Sequence, residues 1–182
     1  YAVAREQLKL EVATPVLRQR ADVLSPLTLT EQGDLVRITG KDFTAGFSRA
    51  AGTLVSLDYG FGELLAPPEA DVPSGPILQA WRAPTDNDKG FGKWLAREWT
   101  QAGLDKLSRR VESFVVTQPA TGSVRIETVA VSTAAKGSLS HRAVWTVSGD
   151  GIIDLANEFI PAGELPPLPR IGVVLRLSTT LE

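Results

Sequence analysis

The 182-residue sequence contains no cysteine and no methionine, and it has a single histidine, His141. Without cysteine, neither a disulfide framework nor a thiolate metal site can form. With one histidine, a multi-histidine metal centre is excluded, and a Ser-His-Asp triad would have to use His141. An excess of charge of one sign is also missing. The 19 basic and 21 acidic residues leave a net charge of -2, so no basic face offers itself to nucleic acid or to an anionic membrane. The longest apolar runs fall far short of the roughly 18 residues that a membrane-spanning helix requires. The start, Tyr1-Ala2-Val3-Ala4-Arg5-Glu6, carries no signal-peptide pattern, and the expectation is a soluble piece of a longer chain. This length accommodates one sizeable domain, burying about 70% of the surface its unfolded chain exposes, but not a TIM barrel of about 250 residues.

Helical periodicity is scarce as well. Nearly every periodic segment alternates with a period of two, the pattern of half-buried strands. Strands are expected over residues 35–39, 43–48, 53–59, 111–117, 124–131, 141–147 and 152–160. Arg49-Ala50-Ala51-Gly52 and Ser148-Gly149-Asp150-Gly151 have the length and glycine content of hairpin connections. Residues 171–177 read as the clearest strand, with Ile171, Val173, Leu175 and Leu177 sharing a face expected to be core. Only residues 91–107 read as helical, with Gly103 placed to cap a helix that ends near Ala102. One short helix among many strands predicts an all-β sandwich. Two proline-rich stretches, 66–76 and 161–169, are expected outside the sheets because proline lacks a ladder donor. Residues 14–20 read as a linker that separates a leading strand over 4–12 from the main body.

The most informative run is Gln79-Ala80-Trp81-Arg82-Ala83-Pro84-Thr85-Asp86-Asn87-Asp88-Lys89-Gly90. Planar polar groups such as those of Arg82, Asp86, Asn87 and Asp88 grip sugar hydroxyls, and aromatics cover apolar sugar faces. The ordinary reading of the same residues is a solvated turn, since proline and Asp-Asn-Asp clusters favour turn initiation. As a calcium loop the run fails: counted from Asp86, the sixth residue is Phe91 rather than glycine and the twelfth is Arg97 rather than glutamate. Asp86 and Asp88 suit hydrogen-bond acceptance better than a catalytic pair. Trp81, Trp94, Trp99 and Trp145 could stack on sugar, with core packing the default for each. His141 reads as an exposed polar residue at a strand start. Arg170, at the start of an expected buried strand, calls for a structural ion pair.

Trp81 to Asp88 resembles the Trp-Arg-Ala-Pro-Thr-Asp-Asn-Asp signature of the C-terminal small-chain domain of glycoside hydrolase family 2 beta-galactosidases. Trp99-Thr100-Gln101-Ala102-Gly103-Leu104 is similar to the Trp-x-x-Ala-Gly-Leu stretch that follows that signature, and Leu168-Pro169-Arg170-Ile171-Gly172 is similar to a later Leu-Pro-Arg-Ile-Gly stretch. Val3-Ala4-Arg5-Glu6-Gln7 resembles the last strand of the preceding immunoglobulin-like domain. The resemblance divides the chain into residues 1–20, the end of that domain and a linker, and 21–182, the N-terminal portion of the small-chain sandwich. The Gly-Arg-Gly-Pro motif that follows in the family does not occur here.

The resemblance implies a partial galactose-mutarotase-like supersandwich with no catalytic residue of its own. It would serve a retaining beta-galactosidase, packing on that enzyme's catalytic barrel and helping to shape the sugar site. Within it, Arg82, Asp86, Asn87 and Asp88 bind substrate or shape its site, Gly90 and Gly92 act as loop hinges, and Trp81, Trp99 and Arg170 are structural. No cofactor is implied for this chain, although Mg2+ and Na+ are admitted for the parent enzyme. The partners implied are a beta-galactoside and the barrel. The unpaired sheet edges left by a partial sandwich would further favour self-association near residues 171–177. The alternative is a stand-alone carbohydrate-binding or structural β-sandwich module. A mutarotase is a weaker third reading, which the single histidine opposes.

Overall fold

The computed structural model describes residues 24–69, 72–90, 92 and 94–179. The leading strand, the linker and the boundary at residue 20 lie outside the described residues. Two four-stranded antiparallel sheets form the body. The first comprises β1 (Thr28–Gln32), β2 (Leu35–Thr39), β3 (Thr44–Ser48) and β4 (Thr53–Asp58), adjacent in chain order. The second comprises β6 (Ser108–Ala120), β7 (Ser123–Ala134), β8 (Gly137–Ser148) and β9 (Ile153–Gly163), again in chain order. Between them in sequence lie the short strand β5 (Ile77–Gln79), a 3-10 turn at Asp86–Lys89 and helix α1 (Leu95–Ala102). The last strand, β10 (Gly172–Val174), pairs antiparallel with β5.

Alternation explains why these sheets face one another. On β7, Val124, Ile126, Thr128, Ala130 and Ser132 are buried while the residues between them are more exposed. Val36 and Ile38 on β2, Ala45 and Phe47 on β3, and Ala143, Trp145 and Val147 on β8 complete a core shared by both sheets. Phe47 meets Trp145 edge to face, with ring centroids 5.3 Å apart, a favourable arrangement of their quadrupoles. The molecule is an all-β sandwich with one short helix.

Hairpin turns fix the register of the first sheet. Asp34 reaches from the β1–β2 turn to the β3–β4 turn, where its carboxylate accepts from Ser48 Oγ at 2.6 Å and from the Ala50 amide at 2.6 Å. The described residues of the 66–76 stretch lie outside the three sheets, as its prolines require. At Gly75 a Cβ atom would sit 1.8 Å from the carbonyl oxygen of Leu54, so only glycine lets this stretch press against β4.

Five sequence expectations need correction. The helix is shorter than residues 91–107, although Gly103 does cap it, at a φ of 75°. β9 continues through Pro161 to Gly163, which is tolerated because β9 is the edge strand of its sheet. The expected strand 171–177 shrinks to three residues. Ile171 and Leu175 are each 44% exposed and Leu177 is 54% exposed, although β10 pairs with β5 and Leu177 forms an isolated antiparallel bridge with Leu65. Arg170 is exposed rather than entering a buried strand, and among the described residues it forms no ion pair. His141 is buried, with its ring stacked on Phe159 and Nε2 donating to Asn157 Oδ1 at 2.8 Å. It faces inward because it falls in the same alternating register as Leu139, Ala143 and Trp145.

Core and edge should respond differently to truncation. Phe47→Ala is expected to destabilise the chain by about 3–5 kcal/mol, and Leu175→Ala by no more than about 0.5 kcal/mol, as measured by urea unfolding. Equal losses would place Leu175 in a buried contact.

Candidate functional site

The 79–90 run leaves β5 and turns back on itself through Pro84. The turn is closed by one carboxylate. Asp88 is buried, and Arg82 grips it bidentately, with Nη1 to Oδ2 at 2.6 Å and Nη2 to Oδ1 at 2.9 Å. Asp88 Oδ2 also accepts from the Thr85 amide at 2.7 Å and from Thr85 Oγ1 at 2.8 Å. Four donors, two of them on a cation, stabilise the ionised form strongly. The hydrogen bonds from Arg82, followed by those from Thr85, hold the Asp88 carboxyl far below the usual carboxylate range.

Arg82 carries this turn into the surrounding structure. Its Nε donates to the Pro169 carbonyl at 3.3 Å and its Nη1 to the Ala83 carbonyl at 3.2 Å. Its guanidinium carbon lies 5.1 Å from the centroid of the Trp99 ring, within range for a cation–π contact. Trp99 is buried on α1, donates Nε1 to the Pro167 carbonyl at 2.8 Å and meets Trp81 edge to face at 6.4 Å. Loop, helix and the 166–170 segment are thus joined through two side chains.

With Asp88 turned inward, the residues beside it face out. The Asp86 side chain is fully exposed, Asn87 is exposed, and Trp94, at the N-terminal end of α1, is 59% exposed. Chemically, this surface offers a carboxylate, an amide and an indole to hydroxyls and apolar sugar faces. Asp88 itself is not part of that surface, since both of its oxygens are engaged by Arg82 and Thr85.

The structure brings Trp81, Arg82, Asp88 and Trp99 into one cluster and leaves Asp86 and Asn87 at its rim. Arg170 stands apart from the cluster's hydrogen bonds. Gly90 is extended at a φ of −153°, a conformation any residue adopts, whereas Gly92 lies at 83°, where glycine is favoured. Sequence reasoning missed Thr85 as a donor to Asp88, although its spacing three residues before an acidic residue is the capping-box signal. It also missed the carbonyls of Pro167 and Pro169, for which side-chain chemistry gives no sign. Among the described residues no group of three or more His, Asp or Glu is placed to hold a metal ion.

The fold defines an all-β sandwich with a braced loop, and comparison with known proteins defines the family. The family model described as the beta galactosidase small chain matches residues 39–182. A beta-galactosidase of Priestia megaterium is 30% identical over 185 residues, covering 100% of this chain and 16% of the relative. One of Vibrio cholerae is 31% identical over 189 residues, covering 97% of this chain and 17% of the relative. One of an Arthrobacter species is 37% identical over 131 residues, covering 60% of this chain and 12% of the relative. The chain belongs to the beta-galactosidase small-chain family and spans 16% and 17% of the length of the two relatives that it matches almost end to end.

Two titrations should be visible in the stability of the chain. Because the Asp88 pKa is lowered on folding, its contribution is full above the ordinary aspartate value of 3.8 and is lost as pH falls below it. Asp88→Asn is therefore expected to lower the thermal midpoint at pH 7 well beyond the effect of Asp86→Asn, with the gap narrowing below about pH 4. Burial, aided by the nearby Arg109 charge, lowers the His141 pKa below 6.5 despite the Asn157 hydrogen bond. The unfolded chain then binds the proton more readily, so the midpoint should fall as pH drops from 7 through 6.5 and below, and His141→Gln should flatten that slope. A slope unchanged in His141→Gln would contradict this assignment.

Proposed function

We propose that this chain is the non-catalytic sandwich of a retaining beta-galactosidase that hydrolyses terminal beta-D-galactosides. In this reading it is the N-terminal part of a galactose-mutarotase-like supersandwich, packs on the catalytic barrel and helps to frame the sugar. The observation that carries the reading is the Arg82–Asp88 fork. It fixes the loop from within and turns Asp86 and Asn87 outward, where a bound galactoside shared with the barrel would meet them. Arg82 and Asp88 then shape the site rather than touch the sugar. Gly90 and Gly92 give the segment after Asp88 its freedom to close, and Gly92 is the position where a side chain strains the backbone.

Retaining hydrolysis needs two carboxyl groups about 5–5.5 Å apart, one as nucleophile and one as acid/base. In this reading both belong to the barrel. The exposed apolar side chains of Ile171, Val174, Leu175 and Leu177 would meet another polypeptide, which is a second copy when the chain is alone.

In a full-length beta-galactosidase carrying this domain, Asp86→Ala with Asn87→Ala is expected to lower kcat/KM about tenfold or more, the scale of a lost charged hydrogen bond, with an unchanged melting temperature. The chain by itself should release no chromophore from a nitrophenyl beta-galactoside. Parental kinetics in the double variant, or turnover by the isolated chain above a mock-purified control, would overturn the reading.

A further inference from the structure

A cavity of about 700 Å³ opens between the β3–β4 turn, the start of β6 and the proline-rich stretch before β5. Its lining is mostly apolar, including Val55, Val72, Ile77, Leu78 and Leu107, and Arg109 of β6 is the charged residue among the lining groups. Arg109 Nη1 donates to the Ala51 carbonyl at 2.7 Å, while Nε is closed off from solvent and has no hydrogen-bond partner. Its sequence neighbour Arg110 is paired with Glu112, and Arg49 of the adjacent turn with Glu31. The Asp34 carboxylate beneath the same turn is occupied by Ser48 and Ala50. Arg109 has no acidic partner among the described residues, and burial alone, with no opposing carboxylate, lowers its pKa.

A partly buried guanidinium normally finds a planar two-oxygen acceptor, because desolvating its charge costs free energy that only a partner offsets. The residues that line this cavity do not supply one. We propose that this cavity is a carboxylate site, taking a carboxylate borne on a short apolar body, with its charge seated against Arg109 and its apolar part against Val55, Val72, Ile77 and Leu78. The required chemistry is shared by a free short-chain organic acid and by a Glu or Asp side chain flanked by apolar residues on another stretch of polypeptide. This site is separate from the Asp86–Asn87 surface and does not depend on its sugar-binding role.

The test uses the 182-residue chain with sodium butyrate and, separately, the end-blocked peptide N-acetyl-Val-Glu-Val-amide, each compared with sodium chloride at equal ionic strength. Thermal midpoints and the amide resonances of Ala51 and Gly52 are followed. The carboxylate probes should raise the midpoint and shift both resonances in a saturable manner. Arg109→Gln should abolish both effects, and Arg109→Lys, which keeps the charge but loses the fork, should weaken them. Saturation by the peptide at lower concentration than butyrate assigns the site to a polypeptide carboxylate, and a response to butyrate alone assigns it to a free acid. No response to either probe, or an equal response in Arg109→Gln, would overturn the proposal.

Discussion

The bidentate contact between Arg82 and Asp88 is the constraint from which the geometry of the candidate site follows. A chain leaving β5 with Pro84 and three consecutive polar residues would ordinarily spread into solvent. Here the Asp88 carboxylate gathers four hydrogen bonds, two from Arg82 and two from Thr85, and the turn at Asp86–Lys89 closes around it. Because Asp88 must point inward, Asp86 and Asn87 must point outward. The same guanidinium lies over Trp99 and bonds to Pro169, so the turn, α1 and the 166–170 segment hold their places together. Charge-assisted bonds of this kind are short and directional, so the outward face of the loop is set from within the chain.

Much of this fold is legible in the sequence, for a physical reason. Side chains along a strand alternate faces, so a buried sheet face imprints a period of two, and β2, β7 and β8 fall where that period is clean. Gly103 was legible because a left-handed cap favours glycine. The failures are equally physical. Residues 171–177 carry apolar side chains at every second position, yet this reports only that a face is apolar, not that anything covers it; the face of Ile171, Leu175 and Leu177 is largely open. β1, composed largely of polar residues, and β5, only three residues long, carry too little pattern to be seen. His141 was misread because its polarity was weighed above its register. It shares the inward phase of Leu139, Ala143 and Trp145, and register decides which way a strand residue faces.

The candidate site was legible as a set of residue types but not as a division of labour. Arg82, Asp86, Asn87 and Asp88 are all planar and polar, so composition treats them alike. Folding separates them into a brace, Arg82 with Asp88, and a rim, Asp86 with Asn87. That division requires three-dimensional facts invisible in one dimension: the carbonyls of Pro167 and Pro169 arriving from far along the chain, and the buried ring of Trp99 beneath the guanidinium. Arg109 is a second case. Its sequence context is an ordinary strand start, and only the fold places its guanidinium beside an apolar cavity without a carboxylate among the described residues.

The central claim is that the signature loop is held rigid from within by Asp88 before any sugar or catalytic domain is present. The most direct test is amide hydrogen exchange at Thr85 in the chain alone at neutral pH, because the Thr85 N–H donates to the Asp88 carboxylate. The account predicts exchange far slower than for an open loop, approaching that of amides in β7 and β8, with protection lost when Arg82 is replaced by Gln. Exchange of Thr85 at the rate of an unstructured peptide would contradict it.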